Sequence, residues 1–388
     1  MESSSFSKSY VHEVDWVRTL AMIGVLIVHA TGLTVVTLDP QSTLYGLYDF
    51  LNIAFKYGTP TFIFISSFVL FHSYFHQPVN AGLLKRFYSR RLLYMIVPYV
   101  LFSLIYTVMK SYFYYGFGGW LDWTIRFLYL LAAGKAHAHL YFVIISIQLY
   151  LLFPVFLLLL RRFGWLARHA WWLGFAVQWG FILLNRYWLQ VPDKGSWALS
   201  YLSLYLLGAY IGIRYARLRS WFQRQSGRPL LALLLIWLSG LAAHFGLIHA
   251  QRVYQIAVHS LWYELAWNIH TASTALLLFW LSHHAVQRMP EMLNTATGRI
   301  AQASFGIYLI HPLLLIFYEA NIQIAHPYAY HLAIALKGLF ILVGSYAAIR
   351  LCSRLLQGAA PYVLGASVRP MRTRHPFRGT SERTPYLG

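Results

Sequence analysis

The sequence is poor in cysteine, in acidic residues and in charge of any kind. Cys352 is the single cysteine of the 388 residues, which excludes an internal disulfide. Charged residues make up 11% of the chain, whereas hydrophobic residues make up 59% and the mean hydropathy is +0.53. These values lie far outside the usual range of soluble domains and indicate an integral membrane protein.

The shortage of acidic residues leaves a large positive charge. The chain has 11 Asp and Glu against 31 Lys and Arg, a formal net charge of +20. In a soluble protein this excess would suggest nucleic-acid binding, but in so apolar a chain it indicates a basic cytoplasmic face against anionic lipid. The sequence therefore predicts membrane lipids as partners and no nucleic acid. The polar N-terminus lacks a small-residue cleavage site, so we expect no removable signal peptide.

Long apolar runs recur along the whole chain. About 20 apolar residues in an α-helix cross the hydrocarbon core with every backbone group hydrogen-bonded internally. The pattern predicts an all-α, polytopic membrane helix bundle with about ten transmembrane helices. The predicted spans are residues 16–36, 48–74, 92–114, 140–160, 166–185, 198–213, 230–248, 263–282, 302–319 and 331–352.

Most basic residues between these spans fall on one side of the membrane. Because cytoplasmic loops are enriched in Lys and Arg, this pattern predicts that both termini are cytoplasmic. No internal repeat suggests the inverted halves of a secondary transporter. We expect a cytoplasmic N-terminal segment at residues 1–14, a transmembrane domain at 15–355 and a basic, largely disordered cytoplasmic tail at 356–388.

The first predicted span carries ionisable residues at membrane depth, which indicate function by default. Eleven positions at ~100° each make three turns with ~20° left over, so Arg18 and His29 share one helix face about 16 Å apart. This spacing suits a long anionic ligand, because an arginine near the cytoplasm holds phosphates and a deeper imidazole acts as a general base. The alternative is a snorkelling Arg18 and a histidine satisfied by a neighbouring helix.

A general base at His29 would be helped by a carboxylate that fixes its tautomer. Asp15 lies about 21 Å away along the same helix and is expected to pair with Arg18 at i, i+3 instead. Three acidic residues of other spans are candidates for this role, and the sequence does not choose among them: Asp49, Glu264 and Glu319.

Several motifs follow one another along the chain. The first is Asp15-Trp-Val-Arg18 with His29-Ala30, an arginine, ten residues and a histidine, and a late one is Ser304-Phe-Gly-Ile-Tyr308-Leu-Ile-His311-Pro. The others are Phe62-Ile-Phe-Ile-Ser66, Arg90-Arg91 before Pro98-Tyr99, His139-Leu-Tyr-Phe142 with Pro154, and Leu207-Gly208 through Gly212. In this order, over about residues 13–315, they resemble the acyltransferase-3 family of membrane acyltransferases.

The chain is similar above all to the branch of that family that acylates biofilm adhesin and other cell-surface polysaccharides. This resemblance implies ten or more helices, acetyl-CoA as the cytoplasmic donor and a carbohydrate hydroxyl as the acceptor, with no metal expected. It adds Ser66, His139, Tyr308 and His311 to Asp15 as further site candidates. One departure is Ser66-Ser67, where the family often has Ser-Gly.

A group of cations precedes the third predicted span on the cytoplasmic side: Lys85, Arg86, Arg90 and Arg91. Arginine binds phosphates in bidentate fashion, so this loop is a candidate site for the coenzyme A head, with Arg91 as its leading residue. The family's Arg-x-x-Arg element reads Arg91-Leu-Leu-Tyr94 here, and a looser cluster of arginines is expected to compensate. Positive-inside determinants of topology produce the same pattern, and this alternative stays open.

The remaining histidines have structural alternatives as well. His139 opens the fourth predicted span, and His311 with Pro312 lies mid-span, where a proline frees backbone carbonyls and a local break can line a cavity. A structural imidazole hydrogen-bonded across helices is the competing interpretation of both. His244 and His270 have no motif around them and are interpreted as packing or lumen residues.

Together these patterns predict a membrane O-acyltransferase that moves an acyl group, acetyl above all, from cytoplasmic acyl-CoA to a hydroxyl of a cell-surface or lipid-linked glycan. His29 is the predicted general base or acyl carrier, and the donor is bound by Arg18, Arg86, Arg90 and Arg91. The alternatives are an exporter of polysaccharide or lipid-linked sugar and a non-catalytic subunit of a glycan synthase. Glycan synthase or export subunits are candidate partners.

Overall fold

The structure is a computed structural model that describes residues 10–224, 227–322 and 327–365. Over these ranges the chain is helical, with a few short 3₁₀ and π turns and no β-strand. The α-helices are α1 Glu13–Gly32, α2 Thr34–Thr37, α3 Tyr45–Ala54, α4 Gly58–Tyr74, α5 Ala81–Arg91, α6 Leu93–Lys110, α7 Trp120–Ala133, α8 Tyr141–Arg162, α9 Gly164–Leu184, α10 Leu202–Ile213, α11 Tyr215–Arg224, α12 Arg228–Tyr254, α13 Ser260–Arg288, α14 Glu291–Asn321, α15 Pro327–Leu356 and α16 Ala360–Leu364.

In the described part of the chain, seven helical stretches are long and apolar enough to cross a membrane: Glu13–Thr37, Tyr45–Tyr74, Ala81–Tyr115, Ala138–Arg162, Arg228–Tyr254, Glu291–Asn321 and Ala329–Leu364. Each coincides with one of the predicted spans. The other three predicted spans are also helical, but α10 is shorter, and α9 and α13 carry more polar residues and tryptophan. The helical membrane bundle is therefore confirmed, whereas the count of ten and the cytoplasmic termini stay predictions.

The predicted span at residues 48–74 is two helices. Helix α3 ends at Ala54 and α4 begins at Gly58, so a three-residue turn centred on Lys56 interrupts the run. Gly58 lies directly against α1, where an added Cβ would stand 2.6 Å from the Val25 side chain and 2.8 Å from the Ala21 carbonyl oxygen. Only glycine permits this approach, which places the turn beside the part of α1 that carries His29.

Helix α1 is central, because it packs against α3, α4, α13, α14 and α15. Two side-chain hydrogen bonds tie it to α14. Trp16 Nε1 donates to Asn294 Oδ1 at 2.7 Å, and Thr19 Oγ1 donates to the Thr297 carbonyl at 2.9 Å. Hydrogen bonds between helices hold their relative positions where lipid provides no hydrophobic driving force, so these two bonds fix the N-terminal end of α14 to the helix that carries Arg18.

Helix α10 is buried between α4 and α9 through glycine contacts. An added Cβ on Gly208 would overlap the Phe64 carbonyl oxygen of α4, and one on Gly212 would lie 2.6 Å from the Phe68 carbonyl oxygen. Small residues that bring helix backbones together are the usual means of association in membranes. The short, fully packed α10 thereby holds α4 in place from the side opposite α1.

We expect Gly208→Ala to destabilise the folded protein by about 1–3 kcal/mol, because the added methyl group has no space at the α4 backbone. Gly180→Ala on α9 is the matched control, since nothing lies within 4 Å of the Cβ position there. The stability of both variants is measured as the temperature at which half of the monodisperse protein is lost on heating in detergent. Equal midpoints for the two variants would show that α4 and α10 separate at little cost.

The packed bundle continues beyond the predicted domain boundary at residue 355. Helix α16 packs against α6, with the rings of Tyr94 and Tyr362 5.1 Å apart and Leu364 buried. The predicted disordered tail therefore begins with a short packed helix. Residues 366–388 of that tail, and residues 1–9 of the N-terminal segment, lie outside the part of the chain that the structure describes.

Candidate active site

Three histidines that are far apart in the sequence meet beside α1. The ring centroids of His29 and His311 are 4.8 Å apart in an edge-to-face arrangement, and those of His139 and His311 are 5.5 Å apart. The histidines come from α1, from α14 and from the turn before α8. The structure thus brings together three of the predicted site residues at one point in the bundle.

The hydrogen bonds of His311 determine which of its nitrogens is free. Its Nδ1 lies 3.1 Å from the carbonyl oxygen of Ile307, and because a carbonyl only accepts, Nδ1 carries the proton. Its Nε2 is buried without a hydrogen-bond partner among the described residues. In the neutral ring this Nε2 is a lone-pair acceptor held next to His29. Helix α14 passes through Pro312 without ending, so the predicted local break is absent there.

His139 is held by its neighbours in the same way. Its Nδ1 is 2.9 Å from Nδ1 of His137, so one of the two rings donates to the other, and its own Nε2 is buried and has no partner in the described residues. The Tyr308 hydroxyl donates to the His139 carbonyl, and the two rings are 5.1 Å apart. Tyr106 packs on His137 at 4.5 Å. Sequence analysis missed His137, although it stands only two residues before a motif histidine.

A cavity of ≈ 510 Å³ opens beside this cluster. His29, His139 and Tyr308 form part of its wall. The rest of the wall is mainly aromatic and charged: Tyr141, Tyr201, Tyr263, Trp267, Lys56 and Glu264. Its volume lies within the range of about 300–1,000 Å³ that is usual for small-molecule sites, and a wall of aromatic faces with a few polar groups is typical of them. The apolar faces of sugar rings pack well on such side chains.

None of the three candidate carboxylates hydrogen-bonds His29 in the described structure. Asp49 accepts from His249 at 2.6 Å and from Arg252 at 2.5 Å. The other two are bonded as well, Glu264 to Lys194 in the cavity wall and Glu319 to Lys337 at 3.0 Å. The groups next to His29 are therefore imidazoles rather than a carboxylate.

Towards the other end of α1, Arg18 lies within electrostatic range of Arg91. Arg18 is half-buried on α1, and Arg91 at the end of α5 is close enough for the two positive charges to repel each other. Neither forms an ion pair with a described residue. Arg86 is exposed on α5, whereas the side chain of Arg90 lies outside the described part of the structure. Two adjacent unpaired arginines are an arrangement that an anionic ligand stabilises.

The predicted ion pair between Asp15 and Arg18 is wrong. Asp15 is buried, and both of its carboxylate oxygens accept from the Tyr10 hydroxyl, at 2.7 and 2.9 Å. The phenol from the chain just before α1 is within reach of these oxygens, and the arginine at i+3 is not. This leaves the Arg18 guanidinium available to another anion.

The remaining predicted residue and two further residues complete the description of the site. Ser66 is half-buried on α4 and is not part of the cavity wall, whereas the next residue, Ser67, is buried and donates to the Tyr205 carbonyl at 2.5 Å. Sequence analysis also missed Lys56 and Tyr263 of the wall. The available signal for Lys56 was an ionisable residue inside an apolar run. Tyr263 has no sequence signal of its own.

Known proteins resemble this chain over most of its length. The sequence model of the acyltransferase domain called acyltransferase-3 matches residues 11–350. The chain belongs to the acyltransferase-3 family. It is also similar to the probable poly-beta-1,6-N-acetyl-D-glucosamine export proteins of Staphylococcus aureus strains MSSA476, MW2 and N315. Each is 23% identical over 373 residues, which cover 91% of this chain and 97% of the relative. No solved structure matches the acyltransferase.

Family membership confirms the resemblance that the motifs predicted. Together with the seven apolar helices, it makes the protein a multi-pass membrane acyltransferase. His244, which was interpreted as a packing or lumen residue, lines the cavity and lies 3.0 Å from His270, Nδ1 to Nδ1.

Proposed function

We propose that this membrane acyltransferase transfers an acetyl group from cytoplasmic acetyl-CoA to a hydroxyl of a cell-surface or lipid-linked glycan, in the plasma membrane of a bacterium. The observation that carries the proposal is the position of His29. This histidine lines the aromatic cavity and shares helix α1 with Arg18, three turns away. One helix thereby connects a cation site suited to the donor with an imidazole suited to the reaction.

The donor phosphates bind at the Arg18 end of α1. Arg18 and Arg91 supply two adjacent unpaired guanidinium groups, and Arg86 lies on the same short helix as Arg91. Guanidinium groups bind phosphate oxygens in pairs, which compensates the repulsion between the two cations. The pantetheine arm then extends along α1, so that the thioester reaches His29.

The acceptor glycan binds in the cavity. The aromatic rings of its wall, among them Tyr201, Tyr263 and Trp267, offer apolar faces to a sugar ring. The bonded pair Lys194 and Glu264 and the buried Nε2 of His139 offer donors and acceptors to its hydroxyls. A volume of ≈ 510 Å³ accommodates a short stretch of a glycan rather than a long one.

His29 carries out the transfer by one of two routes. In the direct route its free nitrogen takes the proton of the acceptor hydroxyl while the oxygen attacks the thioester carbonyl. The ester bond forms, the carbon–sulfur bond breaks, and the thiolate takes the proton from the imidazolium. In the relay route His29 attacks the thioester, an acetyl-imidazole forms with release of the thiol, and the acceptor hydroxyl then displaces the imidazole.

His311 takes the place that a carboxylate has in other acid–base pairs. Its proton is fixed on Nδ1 by the Ile307 carbonyl, so its Nε2 carries a lone pair, and the two imidazole rings lie 4.8 Å apart. A rotation of His29 that forms a hydrogen bond to this Nε2 would fix the tautomer and the orientation of His29. A neutral imidazole does this without placing a second buried charge beside the thioester.

Purified protein in detergent, mixed with acetyl-CoA labelled in the acetyl group and a short N-acetylglucosamine oligosaccharide, tests the proposal. We expect release of free coenzyme A thiol that depends on the protein. We also expect a labelled oligosaccharide that loses its label in mild base, because mild base cleaves esters. Without the acceptor, slow hydrolysis of acetyl-CoA is expected. Protein that neither binds coenzyme A nor releases its thiol would contradict the proposal.

Export of a glycan is the second candidate function. The observation in its favour is the printed name of the relatives, which are described as probable export proteins for poly-beta-1,6-N-acetyl-D-glucosamine. An exporter would move an oligosaccharide across the membrane of a proteoliposome without acetyl-CoA and without labelling it. Glycan synthase or export subunits are partners that either function would use.

A further inference from the structure

Lys56 is an unpaired cation in the wall of the acceptor cavity. It stands in the turn between α3 and α4, at membrane depth, and no described residue forms an ion pair or hydrogen bond with its ammonium group. We infer that this acyltransferase takes an anionic acceptor, and that Lys56 and the N-terminus of α4 bind a carboxylate or phosphate of the glycan next to His29. This inference rests on the proposed function.

The other charges near the cavity are already compensated. In the wall, Lys194 is bonded to Glu264. Behind the wall, Asp49 is fully buried, and its two oxygens accept from Arg252 and His249. Asp49 attracts Lys56, but no atom pair of the two forms an ion pair. One positive charge is therefore left over in the cavity, and a charge at this depth is expensive unless a counter-charge is bound.

The backbone at Lys56 favours an anion as well. The chain leaves α3 after Ala54 and enters α4 at Gly58, and Gly58, Thr59 and Pro60 all line the cavity. The N-terminus of a helix carries a partial positive charge, and in α4 the N–H of Thr59 is the one left for an anion, because Gly58 and Thr61 donate to the Phe55 and Tyr57 carbonyls and Pro60 has no N–H. Helix α4 is 17 residues long, and the cap residue Tyr57 makes no side-chain hydrogen bond to it. Broken helices at membrane depth occur where their ends line a cavity.

Two residues of the cavity wall have a buried polar atom without a hydrogen-bond partner among the described residues. His139 is 2% exposed and lines the cavity, and its Nε2 has no partner in the described residues. The Tyr263 hydroxyl of the opposite wall is buried and also lacks a partner among them. Buried polar groups are normally hydrogen-bonded, and the hydroxyl groups of a bound sugar would satisfy these two after a small movement of the side chains. A sugar that carries one anionic substituent supplies both kinds of contact.

Binding of defined sugars to the purified full-length protein tests the inference without acyl transfer. The probes are a disaccharide of glucuronic acid and N-acetylglucosamine, N-acetylglucosamine 6-phosphate, and neutral diacetylchitobiose. We expect at least one anionic probe to bind about 10- to 100-fold more tightly than the neutral one, the factor of a charged hydrogen bond. The affinities of the two anionic probes show whether the site binds a carboxylate or a phosphate more tightly.

Lys56→Met is expected to remove that preference, and Lys56→Arg to retain most of it, because arginine keeps the charge. The matched control is Lys135→Met, since Lys135 is bonded to Asp193 and is not in the cavity wall. Equal binding of all three probes by the wild type would overturn the inference. So would a preference that Lys56→Met leaves intact, or one that disappears when phosphatidylglycerol is added, since the site would then belong to a lipid headgroup.

The outcome is separable from that of the proposed function. If labelled acetyl groups never reach any acceptor but the anionic probe binds through Lys56, the site is an anionic-glycan site of an exporter and the transfer mechanism is wrong. If neutral chitobiose is acetylated and binds as well as the anionic probes, the transfer mechanism stands and the inference about Lys56 is wrong.

Discussion

His29→Ala should abolish acyl transfer while the protein stays folded and binds acetyl-CoA nearly as well as the wild type. Loss of a general base or covalent carrier lowers the rate by about 10²- to 10⁴-fold or more, whereas loss of a packing histidine lowers stability instead. Donor binding persists because the phosphates are held three turns away at Arg18. The measurement is the release of labelled ester per folded molecule, with bound coenzyme A determined on the same preparation.

His169→Ala is the matched control for this variant. His169 lies on α9, where its ring bonds the Trp165 carbonyl one turn earlier, and it is not part of the cavity wall. We expect normal turnover from it. Near-normal turnover from His29→Ala, or a loss that only follows the amount of folded protein, would reassign His29 to packing.

Arg18→Gln and Arg91→Gln should each weaken coenzyme A binding by about 1.5–3 kcal/mol, the range of a hydrogen bond to a charged group, or about 10- to 100-fold in the dissociation constant. The physical reason is the pair itself. Two guanidinium groups that repel each other without a described ion-pair partner gain most from a ligand with several phosphate charges. Titration of coenzyme A against purified protein measures the effect.

Arg168→Gln is the control for charge alone. Arg168 is exposed on α9 and belongs to the same predicted basic face. Its helix is well separated from α1 in the order of the helices along the chain. We expect its loss to change coenzyme A binding little. If Arg18→Gln and Arg91→Gln bind coenzyme A as Arg168→Gln does, the arginine pair determines topology rather than donor binding.

The ring next to His29 in this structure is an imidazole, that of His311, rather than a carboxylate. A carboxylate partner would hold a proton on His29 by charge, whereas His311 supplies only a lone pair. In the proposed mechanism the orientation of His29 depends on a hydrogen bond to this lone pair, which the Nδ1–H···O bond from His311 to the Ile307 carbonyl keeps available.

The sequence by itself determined the membrane class, the helical segments and the face shared by Arg18 and His29. These features are local, because hydropathy and the 3.6-residue period act within one helix. The family motifs added residues such as His311 without their positions relative to His29. The seven long apolar helices and the match to the acyltransferase-3 family confirm the membrane class and the family.

The tertiary structure decided which of these residues meet. The turn at Lys56 splits an apolar run, and although Gly58 and Pro60 mark a break in the sequence, the close approach of Gly58 to α1 follows from the tertiary packing. The neighbours of His29 and the partner of Asp15 depend on side chains that other segments bring within reach, Tyr10 among them. Contacts of this kind follow from how closely helices approach one another, which hydropathy does not encode.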